Sequence, residues 1–177
     1  MSDTGIGASV RRKEDLRFVQ GAGKYTDDMN LVGQVHAYIL RSPHAHAAVR
    51  SIDTSAARAN GGVVAVFTSE DMAEVGGIPC GWQVHSKDGS AMAEPKHPVL
   101  AEGKVRHVGD PVAVVLAESR TQARDAAESI IVDYDVLDAV VDMQAAVTDG
   151  ATSVHDDVGT NVCYDWGLGD NLSLIHI

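Results

Sequence analysis

The sequence predicts a domain of strands and helices sharing one core, and three neighbouring patterns carry that prediction. Residues 112–116 (VAVVL) form an unbroken, valine-rich apolar run of strand length, the pattern of a strand buried on both faces. The period then changes. Ala123, Ala126, Ala127 and Ile130 recur at i, i+3, i+4 and i+7, one face of a helix, with Arg124, Asp125 and Glu128 opposite. At residues 131–134 (IVDY) the pattern returns to β. Gly109-Asp110-Pro111 opens the first strand, where proline costs no ladder donor. Ser119 and Gln122 have the spacing of a capping box, and the alanines let the helix lie close to its sheet. A charge placed at Val114 is expected to unfold the domain, because an unpaired buried charge costs as much as a whole domain's stability.

The other elements follow in chain order. Residues 1–10 are small and polar, an arm, and residues 11–28 (RRKEDLRFVQGAGKYTDD) carry Leu16, Phe18 and Val19 as anchors. Gly21 and Gly23 imply tight backbone but no dinucleotide fingerprint, since neither a strand before nor a third glycine and helix after completes it. Residues 34–41 alternate as a strand, with Val35, Ala37 and Ile39 on one face and His36, Tyr38 and Leu40 on the other. Ser42-Pro43 turns the chain into a second strand at 45–52. Asp53 or Thr54 caps a short helix at 55–59, which Asn60-Gly61-Gly62 ends. Residues 63–67 (VVAVF) are a further strand, and Thr68 with Asp71 opens another short helix. Residues 76–95 read as a long loop with one strand at 82–85, and 98–100 as a short extended piece. After Val140 come a helical turn at 143–147, a linker at 148–152 and a polar extended stretch at 155–161 (HDDVGTN). The tail 171–177 (NLSLIHI) places apolar residues at the chain end with no partner element, the mark of truncation or of a non-native continuation.

A chain of 177 residues suits one domain with appendages, and 45% apolar against 5% aromatic residues predicts an aliphatic core. The net charge of −11 is uneven: all 14 Lys and Arg precede Asp125, and 11 of the 25 acids lie from there on. A nucleic-acid partner is disfavoured, since phosphate binding needs a basic surface. No apolar run approaches the roughly 20 residues of a membrane span, and Arg11-Arg12 is followed by charge where an export signal needs apolar residues. Cys80 and Cys163 lack metal-site spacing and read as reduced thiols of a cytoplasmic protein.

Candidate chemistry is sparse. His44 and His46 lie two apart on a strand, with His36 on the strand before, and could form a metal site, although no carboxylate or cysteine completes a ligand set. The commoner reading is polar residues near a turn. His107 reads as a surface residue, and Ser42-Pro43-His44 is not a hydrolase elbow. The adjacent pairs Asp27-Asp28 and Asp156-Asp157 point to opposite sides on a strand and to water on a loop. No active site emerges from these patterns.

Five blocks change this picture. In order, RRKEDLRFVQGAGKYTDD, VGQVHAYILRSPHAHAAVRSIDTSAA, GVVAVFTSED, VRHVGDPVAVVLAES and IIVDYDVLDAVVD resemble the N-terminal domain of the molybdenum hydroxylase large subunits. That family spans xanthine dehydrogenase, aldehyde oxidase and aerobic carbon monoxide dehydrogenase. The resemblance runs over most of residues 7–161 and is weakest over 76–95. It implies an α+β fold of the α/β-hammerhead type, a mixed, mainly antiparallel sheet with packed helices. It also implies an arm at 1–17, the hammerhead at 18–145 and a linker at 146–170 towards a molybdopterin-binding region lying beyond a truncated end. Parent enzymes of this family hydroxylate carbon monoxide, aldehydes, purines or N-heterocycles at a molybdopterin-bound molybdenum, with water as oxygen source and [2Fe–2S] and FAD groups on partner subunits or domains. Their catalytic glutamate and cofactor loops lie downstream, so the resemblance carries no catalytic, cofactor-binding or metal residue onto this chain, and residues 42–46 (SPHAH) take a structural role. Two readings follow: an inactive N-terminal piece of a molybdenum-dependent oxidoreductase, or a stand-alone hammerhead scaffold without catalysis. A small metal protein using His36, His44 and His46 is a third.

Overall fold

A computed structural model of the chain describes residues 5–7 and 12–169, so the tail at 171–177 lies outside the described residues. The chain divides into two units, Met1–Gln34 and Val35–Ile177. In the first, α1 (Asp15–Val19) buries no residue, and a 3₁₀ turn spans Thr26–Asp28. Leu16 and Val19, expected as anchors, are exposed; on a single short turn they have no cover among the described residues of their own unit. Phe18 does find a partner, stacking on Tyr25 with ring centroids 5.8 Å apart. Gly23 lies beneath that ring, where a Cβ would stand 2.6 Å from Phe18, so a side chain here would displace the ring.

The second unit holds β1 (His36–Arg41), β2 (Ala47–Asp53), α2 (Ser55–Ala59), β3 (Val63–Phe67), β4 (Lys104–Val105), β5 (Pro111–Ala117), α3 (Arg120–Glu128), β6 (Ile131–Val136) and α4 (Met143–Ala146). They form two three-stranded sheets, β1-β5-β3 and β4-β2-β6, with every pairing antiparallel. The strand–helix–strand unit read from the sequence is present, but its strands β5 and β6 belong to different sheets, and α3 carries the chain between them.

Helix α3 forms as its spacing requires. Ser119 Oγ accepts from the Gln122 N–H at 3.3 Å and donates to the Gln122 side-chain oxygen at 2.7 Å. Ala123, Ala126 and Ala127 are fully buried, and the latter two join Ala57, Val66, Ala113, Val115 and Ile130 in one core. A second core gathers Ala47, Ala101, Val105 and Val112. Bulges let the strands serve these cores. In β2 the register slips between Val49 and Ser51, so inward positions change from Ala47 and Val49 to Ile52.

The expectation that β5 is buried on both faces holds only in part, at its start, where Val112 is fully buried in the second core. Ala113, Val115 and Ala117 are fully buried beneath the helices, whereas Val114 and Leu116 on the opposite face are only half-buried. A valine run does not distinguish a two-sided burial from an antiparallel sheet with one face open. The strand expected at 82–85 is reduced to one bridge, His85 to Ala91, and the extended reading of 155–161 gives way to turns. Strand β4 went unread because two residues carry no period. The helix opened by Thr68 is a 3₁₀ turn at Glu70–Met72, with the Asp71 carboxylate accepting from the Thr68 N–H at 2.8 Å.

Candidate functional site

One polar arrangement lies where β1 passes into β2, at residues 42–46. Ser42 is 2% exposed and saturated: its N–H donates to the Asp110 carbonyl at 2.9 Å and its carbonyl accepts from Gly109 N–H at 2.8 Å. Its hydroxyl accepts from the His44 N–H and donates to the His44 carbonyl, each at 3.0 Å, which closes the turn on itself. Arg41 donates to the Gly109 carbonyl at 2.8 Å, so this turn and the Gly109-Asp110-Pro111 turn clamp each other.

His44 packs edge-on against Tyr134 of β6, with centroids 4.9 Å apart. Burial pushes the Tyr134 phenol up, and the Ser42 side chain beside it opposes that shift. His46 is 4% exposed, and its Nδ1 lies 2.8 Å from the Asp138 carbonyl oxygen. A carbonyl only accepts, so Nδ1 carries the hydrogen, and the buried Nε2 has no partner among the described residues.

The three histidines weighed as metal ligands are not assembled. β1 and β2 are not a hairpin: the turn passes the chain from one sheet to the other, which removes the shared face that neighbouring strands would supply. His36 lies in the row of Ala117 on the first sheet, while His46 is tied to the strand end after β6. Among the described residues no three His, Cys, Asp or Glu converge to hold a metal ion. Cys80 and Cys163 are free and exposed, and each thiol donates to a carbonyl, of Trp82 and Ala93 respectively, at 3.0 Å.

A second polar arrangement joins residues 155–157 to β4. Lys104 Nζ reaches both Asp156 oxygens at 2.7 and 2.9 Å and holds that carboxyl below its ordinary value. Burial, and next the Arg106 charge, push the His155 imidazole down. A hollow of about 250 Å³ between them is lined by Arg106, His155, Lys96 and the carboxylates of Glu102, Asp156 and Asp157. Asp28, of the other aspartate pair, accepts from the Tyr25 N–H at 2.9 Å. His107 is exposed, as expected. Sequence patterns missed Tyr134, Asp138 and Lys104 because each acts on a partner remote in the chain.

Two antiparallel sheets joined by one alanine-faced helix, with a buried serine–histidine turn at the crossover, define a hammerhead-type domain. The family described as aldehyde oxidase and xanthine dehydrogenase, a/b hammerhead domain, matches residues 20–138, and the chain belongs to it. The nicotine 6-hydroxylase large subunit of Paenarthrobacter nicotinovorans is 40% identical over 146 residues, covering 82% of this chain and 17% of the relative. The carbon monoxide dehydrogenase large chain of Afipia carboxidovorans is 38% identical over 178 residues, covering 94% of this chain and 21% of the relative. Among solved structures, quinoline 2-oxidoreductase from Pseudomonas putida 86 superposes with a TM-score of 0.74 at 40% identity, over 88% of this chain and 19% of that one. A solved Cu,Mo-CO dehydrogenase also superposes, with a TM-score of 0.71 at 35% identity over 92% of this chain and 19% of that one. The chain spans about a fifth of the relatives it matches.

Molybdopterin is the cofactor such relatives imply, and the described residues do not fit it. Arg106, whose buried Nε has no partner among the described residues, is the group best suited to a cofactor phosphate, yet three carboxylates line the same hollow and would repel that phosphate. Around the larger cavity of about 580 Å³, Arg50, Arg58 and Lys96 each face a carboxylate, of Asp135, Asp71 and Glu102. Among the described residues no cation is left over there to receive an anion.

Proposed function

We propose that this chain is the N-terminal part of the large subunit of a molybdenum-dependent oxidoreductase, and that within it these residues support the metal centre without touching substrate. The observation that carries the reading is the hammerhead match over residues 20–138 in a chain that spans about a fifth of molybdenum-hydroxylase large subunits. The parent enzyme hydroxylates a small carbon centre, of the carbon monoxide, aldehyde, purine or N-heterocycle class, taking oxygen from water. Molybdopterin-bound molybdenum supplies the two-electron oxidation and is held by polypeptide outside these residues. Iron–sulfur and FAD subunits or domains are the partners that accept the electrons.

Domain limits of 18–145 for the hammerhead and 146–170 for a linker belong to the same proposal, as does a cytoplasmic location. Two exposed free thiols suit a reducing compartment, and among the described residues no helix is long and apolar enough to cross a membrane.

The test is recovery of the full coding sequence and expression of the subunit with its neighbours. Stoichiometric molybdenum by elemental analysis and dye-coupled oxidation of a substrate of the named classes are expected. The 177-residue chain alone is expected to retain no molybdenum and to turn nothing over. A native stop after Ile177, or turnover by the isolated chain, overturns the reading, the first in favour of a scaffold module.

A further inference from the structure

The two sheets differ in what they show on the face turned away from the cores. In β4-β2-β6 that face carries Ser51, Asp133 and Asp135, a surface ready for water. In β1-β5-β3 the corresponding face has two rows across the three strands: Ile39, Val114 and Phe67, then Ala37, Leu116 and Ala65. Side chains paired across antiparallel strands share a face, so these six lie together, and every one is apolar. Helices α2 and α3 pack on the opposite side, with Val66, Ala113 and Val115. Ala37 and Ile39 are exposed and the other four half-buried. An antiparallel sheet that faces solvent alternates apolar-in with polar-out, and this one does not alternate.

We infer that this face is the docking surface for an apolar segment of the same large subunit lying outside these residues, an inference that rests on the function proposed above. The occupant follows from two observations. The chain spans only 17% of the nicotine 6-hydroxylase large subunit and 21% of the carbon monoxide dehydrogenase large chain, so most of such a polypeptide lies beyond it. Strand spacing and rise put the two rows at roughly 200 Å², far below the roughly 800 Å² per partner of a stable interface between free chains. A second copy is therefore a poor occupant. A tethered segment pays little of the rotational and translational entropy that separate partners lose, and a small apolar face suffices for it.

The test is thiol labelling of Ile39→Cys, with Cys80 and Cys163 changed to Ser, in the 177-residue chain and in the full-length subunit. Ala37→Cys serves if the first variant is poorly folded. Rapid labelling is expected in the 177-residue chain and at least roughly tenfold slower labelling in the full-length subunit, since burial confines reaction to transient openings. Equal rates in both overturn the inference. Protection in the 177-residue chain that deepens with its concentration also overturns it, in favour of self-association. Molybdenum content separates the two proposals. A molybdenum-loaded subunit with an unprotected thiol sinks the docking face alone, and a protected thiol in a subunit without molybdenum sinks the function alone.

Discussion

His46 donates from Nδ1 to the Asp138 carbonyl oxygen 2.8 Å away, tying the crossover turn to a point 92 residues further along the chain. That contact, with the Leu137 N–H donating to the His46 carbonyl at 2.9 Å, closes the end of β6 against the start of β2. Replacing His46 by Ala leaves a carbonyl without its donor and a void, at a cost of roughly 1–3 kcal/mol. His46→Asn restores a donor and recovers part of it. Urea midpoints of the three proteins measure this, and coincident midpoints for His46→Ala and the parent refute it.

Lys104 and Asp156 give a pH signature. The hydrogen bond and charge of Lys104 hold the Asp156 carboxyl below its ordinary 3.8, so the unfolded chain binds that proton more readily. The resulting stabilisation is present above pH 3.8 and is lost as pH falls through the depressed value. Asp156→Asn is expected to melt like the parent at acid pH and slightly below it at neutral pH. Asp156 is largely exposed, so the gap is small and shrinks with added salt.

His155 works in the opposite range. Its imidazole is pushed down from 6.5, first by burial and then by Arg106, so acid charges it in the unfolded chain first. Stability therefore rises with pH through the interval just below 6.5. His155→Gln flattens that rise, and melting temperatures between pH 5 and 7, a window set by the usual histidine range, report it.

Val114 and Val115 separate the two faces of β5. Val115→Asp places a charge in the fully buried core under α3 and should abolish cooperative unfolding. Val114→Asp, on the half-buried face, should leave the 177-residue chain folded at a cost of about 1 kcal/mol in strand preference. Circular dichroism melts compare them, and equal loss of structure contradicts the assignment of faces.

Gly62 has φ +82° at the turn into β3, and the Gln122 side chain lies over it, donating to the neighbouring Gly61 carbonyl at 3.3 Å. Gly62→Ala imposes a left-handed conformation on an L-residue, roughly 1–2 kcal/mol, besides pushing the Gln122 amide aside. A lowered melting temperature is expected, and an unchanged one would show that the turn relaxes freely.

Local pattern alone was enough for β5, α3 and β6, for α2 at Ser55–Ala59 and for β3 at Val63–Phe67, because period and capping act within a few residues. The ordered blocks were enough for the family. Which sheet each strand joins was not legible. β1 and β2 read as successive strands joined by a turn at Ser42-Pro43, with no partner assigned; β1 pairs with β5 and β2 with β4 and β6, choices made by burial between segments distant in the chain. The same cause hid the junction: His46, Tyr134 and Asp138 acquire their roles only when two sheets meet. An apolar run shows that a strand has a buried face but leaves open whether the second face is covered, and at Val114 and Leu116 only the packing of α2 and α3 on the other side decided it.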